Sequence, residues 1–165
     1  MNPLAAEADN ERVTTFVIPA GSTGFRSRKA PPWPLVDLKH LRAAWHTGAR
    51  LAGCKVGELV EQSYPEVYHT ATMVGRDGLH IILCHMHHPL VAFVAVRRDW
   101  YTTEFIDPPA WATAYSAVGF EPLDADLLLA PFDDADTSQL SAEDWRQIRY
   151  WRPPTLGAVL FNRWD

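Results

Sequence analysis

Four residues, Gly75-Arg76-Asp77-Gly78, constrain this chain more than any other segment. Asp-Gly tolerates the positive φ angles that a tight hairpin turn requires. The runs on either side, Val67 to Val74 and Leu79 to Met86, are apolar and rich in β-branched residues, so they read as paired antiparallel strands. His87-His88-Pro89 breaks the second run. Leu90 to Val96 forms a further strand, Arg97-Arg98-Asp99 turns it, and Thr102 to Ile106 follows until Pro108-Pro109. Val13 to Ile18 and residues 54–60 also lean toward strand, and the consecutive short strands predict an antiparallel meander.

Helical spacing flanks this block. Leu38, Leu41 and Trp45 recur at three- and four-residue intervals behind Asp37, whose carboxylate suits an N-cap, and Gly48 or Gly53 ends the helix. Pro109 to Val118 carries Trp111 and Tyr115 four apart, with Gly119 as its C-cap. Ser141-Ala142-Glu143-Asp144 resembles a capping box ahead of Trp145 and Ile148. Pro153-Pro154-Thr155 opens a last short helix, and Trp151, Leu156, Leu160, Phe161 and Trp164 are expected to close a face of the sheet. The predicted fold class is α+β: an antiparallel meander with helices packed on one face. At 165 residues the chain fits one domain, with residues 1–12 as a loose arm and 13–165 as the folded unit.

A domain of this size buries enough surface to need neither disulfide nor metal as a staple, and no cofactor is expected. Its two cysteines, Cys54 and Cys84, make no zinc spacing and read as small buried thiols. The opening Met1-Asn2-Pro3-Leu4 lacks a basic stretch followed by an apolar one, and no run approaches the roughly 20 residues of a membrane span. These features predict a cytoplasmic protein with no membrane partner. A net charge of −5 argues against nucleic acid as a partner, since phosphate binding needs a basic face.

Several constellations could carry chemistry. His80, His85, His87 and His88 are clustered, with His69 on the partner strand. Residues two apart on a strand face one side at about 6.5–7 Å, so His85 and His87 form the candidate metal pair. No third ligand is nominated by the sequence, and a catalytic metal site needs three. Cys84 with His69 opposite it is the one conceivable nucleophilic dyad, outweighed by a buried thiol beside a hydrogen-bonded imidazole. The loop Gly21-Ser22-Thr23-Gly24-Phe25-Arg26-Ser27-Arg28-Lys29 has glycines, hydroxyls and cations but not phosphate-loop spacing, and reads as a flexible basic turn.

The acidic tract weighs most. Residues 121–144 contain Glu121, Asp124, Asp126, Asp133, Asp134, Asp136, Glu143 and Asp144 with no Lys or Arg, so −8 lies in this stretch while the rest of the chain sums to +3. Such a concentration repels itself and attracts basic partners by long-range steering. Glu121, Asp124, Asp126, Asp133, Asp134 and Asp136 are therefore the candidate partner-binding residues.

The ending Ile148-Arg149-Tyr150-Trp151-Arg152-Pro153-Pro154-Thr155-Leu156-Gly157, then Leu160-Phe161-Asn162-Arg163-Trp164-Asp165, together with Val74-Gly75-Arg76-Asp77-Gly78-Leu79-His80, resembles a group of small uncharacterised bacterial proteins of the orphan or toxin-immunity type. These share a W-x-P…G…FN-x-WD ending. The resemblance implies an interaction protein and brings no catalytic motif. The expected function is thus binding rather than catalysis: an immunity-type protein whose acidic surface covers a basic partner such as a nuclease-type toxin. The alternatives are a small metal-dependent or small-molecule enzyme using the His-rich strand, and a ligand-binding domain with a pocket on the sheet.

Overall fold

The computed structural model describes residues 15–95 and 104–165. The expected arm at 1–12, the start of the Val13 strand and the Arg97-Arg98-Asp99 turn lie outside the described residues. Helix α1 spans Leu38–Ala52, and it is followed by strands β1 (Lys55–Val60), β2 (Tyr68–Gly75), β3 (Gly78–His85), β4 (Leu90–Val94) and β5 (Phe105–Ile106). A 3₁₀ turn at Ala110–Ala112 leads into α2 (Thr113–Ser116), then β6 (Glu121–Pro122), α3 (Ala125–Leu129), α4 (Ala142–Trp151) and α5 (Leu156–Leu160). The fold is α+β. The strands form the expected meander in the order β1-β2-β3-β4-β5, and β6, absent from the sequence expectation, adds parallel to β4.

The hairpin forms where Asp-Gly placed it. Gly75 pairs with Gly78, so Arg76 and Asp77 are the two turn residues, and Gly78 takes φ 112°. Its lack of a β-carbon makes that angle accessible. Asp37 caps α1 by accepting from the Lys39 amide at 2.8 Å, and Gly53 ends the helix in the left-handed region at φ 67°. Ser141 and Asp144 form the reciprocal capping box of α4, while the Thr155 hydroxyl caps α5 by accepting from the Ala158 amide. The strand expected at 13–18 is reduced, in its described part, to a single bridge of Val17 to Asp136.

The helices do not share one face. Along β3, Ile81 and Leu83 pair with Val94 and Ala92 of β4, and they pack with Leu128 of α3 and Leu156 and Leu160 of α5. The intervening Ile82 and Cys84 pair with Phe93 and Val91, and they pack with Leu41 and Trp45 of α1 and Tyr115 of α2. The sheet is therefore covered on both sides. A strand buried on both faces loses the alternation of apolar and polar residues, which is why Ile81-Ile82-Leu83-Cys84 and Leu90-Val91-Ala92-Phe93-Val94 are unbroken apolar runs. At the edge, β1 is mostly exposed and carries Lys55 and Glu58, charges that discourage pairing with another chain.

Leu156, Leu160 and Phe161 are buried as expected, but Trp151 is 38% exposed and Trp164 is half-buried, so these two do not belong to the core. On the other face the Tyr115 hydroxyl is buried with no hydrogen-bond partner among the described residues. An unsatisfied buried hydroxyl costs about 1–3 kcal/mol. Tyr115→Phe removes only that oxygen and keeps the ring packed on Phe93, so urea denaturation should show stability unchanged or raised by about 1 kcal/mol.

Candidate functional site

The histidine-rich end of β3 is built as a lock on the loop that follows Pro19. His85 is fully buried, and its Nδ1 accepts from the backbone amides of His87 at 3.0 Å and His88 at 3.2 Å. Nε2 therefore carries the hydrogen and donates to the Ser22 carbonyl at 2.8 Å. His88 donates through Nε2 to the Ala20 carbonyl at 2.8 Å, and His87 donates through Nδ1 to the Pro34 carbonyl at 2.8 Å. With both of its ring nitrogens in use, His85 has no lone pair to give a cation, so the His85–His87 pair is not a ligand pair. Among the described residues no three His, Cys, Asp or Glu side chains converge in a way that could hold a metal ion.

The same loop takes its other partners from the far end of the chain. Asp144, fully buried, accepts from the Gly21 amide at 2.8 Å, the Thr23 amide at 3.3 Å and the Thr23 hydroxyl. It also accepts from the Ser141 amide at 3.1 Å as part of the capping box. Asn162 donates from Nδ2 to the Thr23 carbonyl at 3.1 Å. Gly21 sits at φ 82°, where a side chain is strained, and a β-carbon there would press into the Trp33 ring at 2.6 Å. The loop thus does cradle an anion with backbone amides, and the anion is the chain's own carboxylate. The basic turn expected here divides in two: Gly21, Ser22 and Thr23 are buried and pinned, while Arg26, Arg28 and Lys29 are exposed.

Cys84 stands opposite His69 as the register predicted, yet the pair is not a dyad. Burial pushes the Cys84 thiol up to about 12, so the nucleophilic thiolate is suppressed. His69 Nδ1 accepts from the Gln62 amide at 2.8 Å, and burial lowers its pKa.

The acidic tract is sorted by the fold into separate roles. Asp144 leaves the surface altogether. Asp136 is tied down locally, its carboxylate accepting from the Ser138 amide at 2.9 Å and its backbone bridging Val17. Glu121 sits on exposed backbone in β6. Asp124, Asp126, Asp133 and Asp134 are exposed on α3 and the 3₁₀ turn Phe132–Asp134, and no cation pairs with them among the described residues. Asp126 and Asp134 stand at the rim of a cavity of about 310 Å³, floored by Phe16, Leu127, Pro131 and Leu156. The pocket was not foreseeable from sequence, because it needs Phe16 brought against α3 and α5.

Comparison with family models, with curated proteins and with solved structures finds no match to this chain. The functional conclusion rests on the site itself.

Two outcomes are expected of the histidine and aspartate lock. Burial holds His85 down to about 3, opposed by the hydrogen bond it donates to the Ser22 carbonyl and reinforced by the neighbouring His88, His87 and His69, and burial lowers His87 and His88 as well. The unfolded chain, with ordinary imidazoles near 6.5, binds more protons than the folded chain in this window. Stability should therefore be fully present above about pH 6.5 and fall toward pH 3, by about 1.4 kcal/mol per pH unit for the neutral buried imidazole of His85. In denaturation curves measured from pH 4 to 8, His85→Gln should flatten that slope. Asp144→Ala strands three buried donors, so at about 1–3 kcal/mol each it should cost at least about 3 kcal/mol, whereas Asp133→Ala should cost less than about 0.5 kcal/mol.

Proposed function

We propose that this chain is a small interaction protein that holds a basic protein partner, of the kind a toxin-immunity protein covers, against the surface of α3 and the 3₁₀ turn Phe132–Asp134. One observation carries this: Asp126 and Asp134, which pair with no cation among the described residues, line a cavity of about 310 Å³ together with Phe16, Leu127 and Leu156. Lysine and arginine have an apolar stem and a charged head, and such a site suits both parts, the stem on Phe16 and Leu127 and the head between the carboxylates. The cavity falls in the range of about 300–1,000 Å³ typical of sites that engulf a ligand group. A nuclease-type toxin fits the chemistry, because the cations it directs at phosphate are those that Asp124, Asp126, Asp133 and Asp134 would meet.

The enzyme alternative loses its residues to structure: His85 uses both nitrogens and Cys84 is held as a thiol. Asp126, Asp133 and Asp134, by contrast, make no ion pair or side-chain hydrogen bond among the described residues. Replacing Asp126, Asp133 and Asp134 together with Asn should leave the melting temperature nearly unchanged, because exposed carboxylates contribute little to stability. The partner is captured on wild-type bait, and its association kinetics are then measured against both forms. The triple variant should associate roughly tenfold more slowly at low salt, with the gap closing as ionic strength rises. Equal association rates at low salt would remove this surface from the interface.

A further inference from the structure

A second cavity, of about 360 Å³, shares no residue with the acidic one and is lined by Arg146, Gln147, Tyr150, Trp151 and Asp165. Its aromatic walls are exposed and yet fixed. Tyr150 is 77% exposed and meets Trp151 almost at a right angle, with ring centres 5.2 Å apart and planes at 82°. Trp164 stacks on Trp151 at 6.0 Å with planes 8° apart. Trp164 is itself held by its amide, which donates to Asn162 Oδ1 at 3.2 Å, and Asn162 is anchored to the buried loop at Thr23. The Trp151 indole donates to Gln147 Oε1 at 3.2 Å, which sets both side chains and leaves the Gln147 amide nitrogen open. Asp165 is positioned by the Tyr64 hydroxyl, which donates to its Oδ1 at 2.7 Å.

The result is a two-walled aromatic corner with hydrogen-bonding groups of both senses at its edge. Arg146 can only donate, Asp165 can only accept, and Gln147 and Tyr150 can do either. The groove's lining side chains supply one cation, Arg146, which also lies 4.0 Å from Glu143, and one anion, Asp165. We propose that this groove binds a neutral saccharide, with one pyranose ring lying against the aromatic corner. The C–H face of such a ring carries partial positive charge that suits the electron-rich face of Trp or Tyr. Its hydroxyls both donate and accept, so vicinal hydroxyls can satisfy Asp165 and Arg146 together. Other ligands of aromatic grooves match less well. A proline-rich peptide offers carbonyl acceptors and few donors, leaving Asp165 with only the Tyr64 hydroxyl as a donor. A nucleic-acid strand brings phosphates toward Asp165 on a chain already at −5. Because the Trp151 wall is set by Gln147 and Trp164 before a ligand arrives, its share of the ordering cost is small.

The test is saturation-transfer NMR on the full chain with four neutral probes, namely maltotriose, cellotriose, mannotriose and triacetylchitotriose. At least one should receive saturation at its ring C–H protons. For that probe Tyr150→Ala and Asp165→Asn should each weaken binding about tenfold with circular dichroism and melting temperature unchanged. Tyr150 is the chosen aromatic because its exposure makes misfolding of the variant no explanation. Silence from all four probes overturns the proposal, as does transfer that survives both substitutions. So does a groove that ignores the sugars but binds an oligothymidylate or a proline-rich peptide with the same dependence on Tyr150 and Asp165.

Discussion

The burial of one carboxylate organises this molecule. Asp144 is taken wholly out of water, and an acid can be so placed only if donors replace its hydration shell. The replacements come from Gly21 and Thr23 at the beginning of the fold and from Ser141 at the helix start. His85 and His88 hold the same loop from the sheet through the Ser22 and Ala20 carbonyls, and Asn162 holds it from the C-terminal segment. The first loop, the end of β3, the start of α4 and the last residues are thereby one polar unit. Removing any member leaves buried partners of the others unsatisfied, and this is a larger effect than the few tenths that a surface charge contributes.

What the sequence displayed was mostly local. Asp-Gly at 77–78, Asp37 before an apolar stripe, and Ser141 three residues ahead of an acid are signals complete within a few residues, and each formed the expected turn or cap. The double coverage of the sheet was also legible in the unbroken apolar runs of β3 and β4. By contrast, nothing local separates Asp144 from Asp133. One is buried and the other exposed because of donors more than a hundred residues away. The cluster of histidines misled for the same reason. Proximity in sequence suggested a shared ligand, whereas His85, His87 and His88 each had a separate backbone carbonyl waiting in a distant loop, and His80 meets Asp77 of its own hairpin.

The separation of buried from exposed acids bears directly on function. A sequence total of −8 over residues 121–144 overstates the exposed acidic surface, because Asp144 and Asp136 are used by the fold. What is left is more specific: Asp126 and Asp134 are placed by a five-residue helix and a single 3₁₀ turn around a cavity that α5 floors through Leu156. Beyond residue 144 the character reverses, with Arg146, Arg149, Arg152 and Arg163 against Asp165 alone. The acidic cavity and the aromatic groove thus present different chemistries, and neither depends on catalytic machinery.

The span of the polar unit also dictates when the protein can come into being. Gly21 and Asp144 are 123 positions apart, and Asn162 and Thr23 are 139 apart. During synthesis the loop's Ala20 and Ser22 carbonyls can meet His88 and His85 early, but the Gly21 and Thr23 amides face no partner until Asp144 has left the ribosome, and the Thr23 carbonyl waits for Asn162. The meander can pair earlier, through contacts between neighbouring strands, but the face built by α3 and α5 must wait. Such dependence on distant contacts slows folding, since chain entropy is surrendered before the contacts repay it. A nascent chain of this kind carries Ile81, Leu83 and Val94 uncovered on one side until α3 and α5 emerge, a period in which chaperone occupancy would matter more than it does for the finished protein.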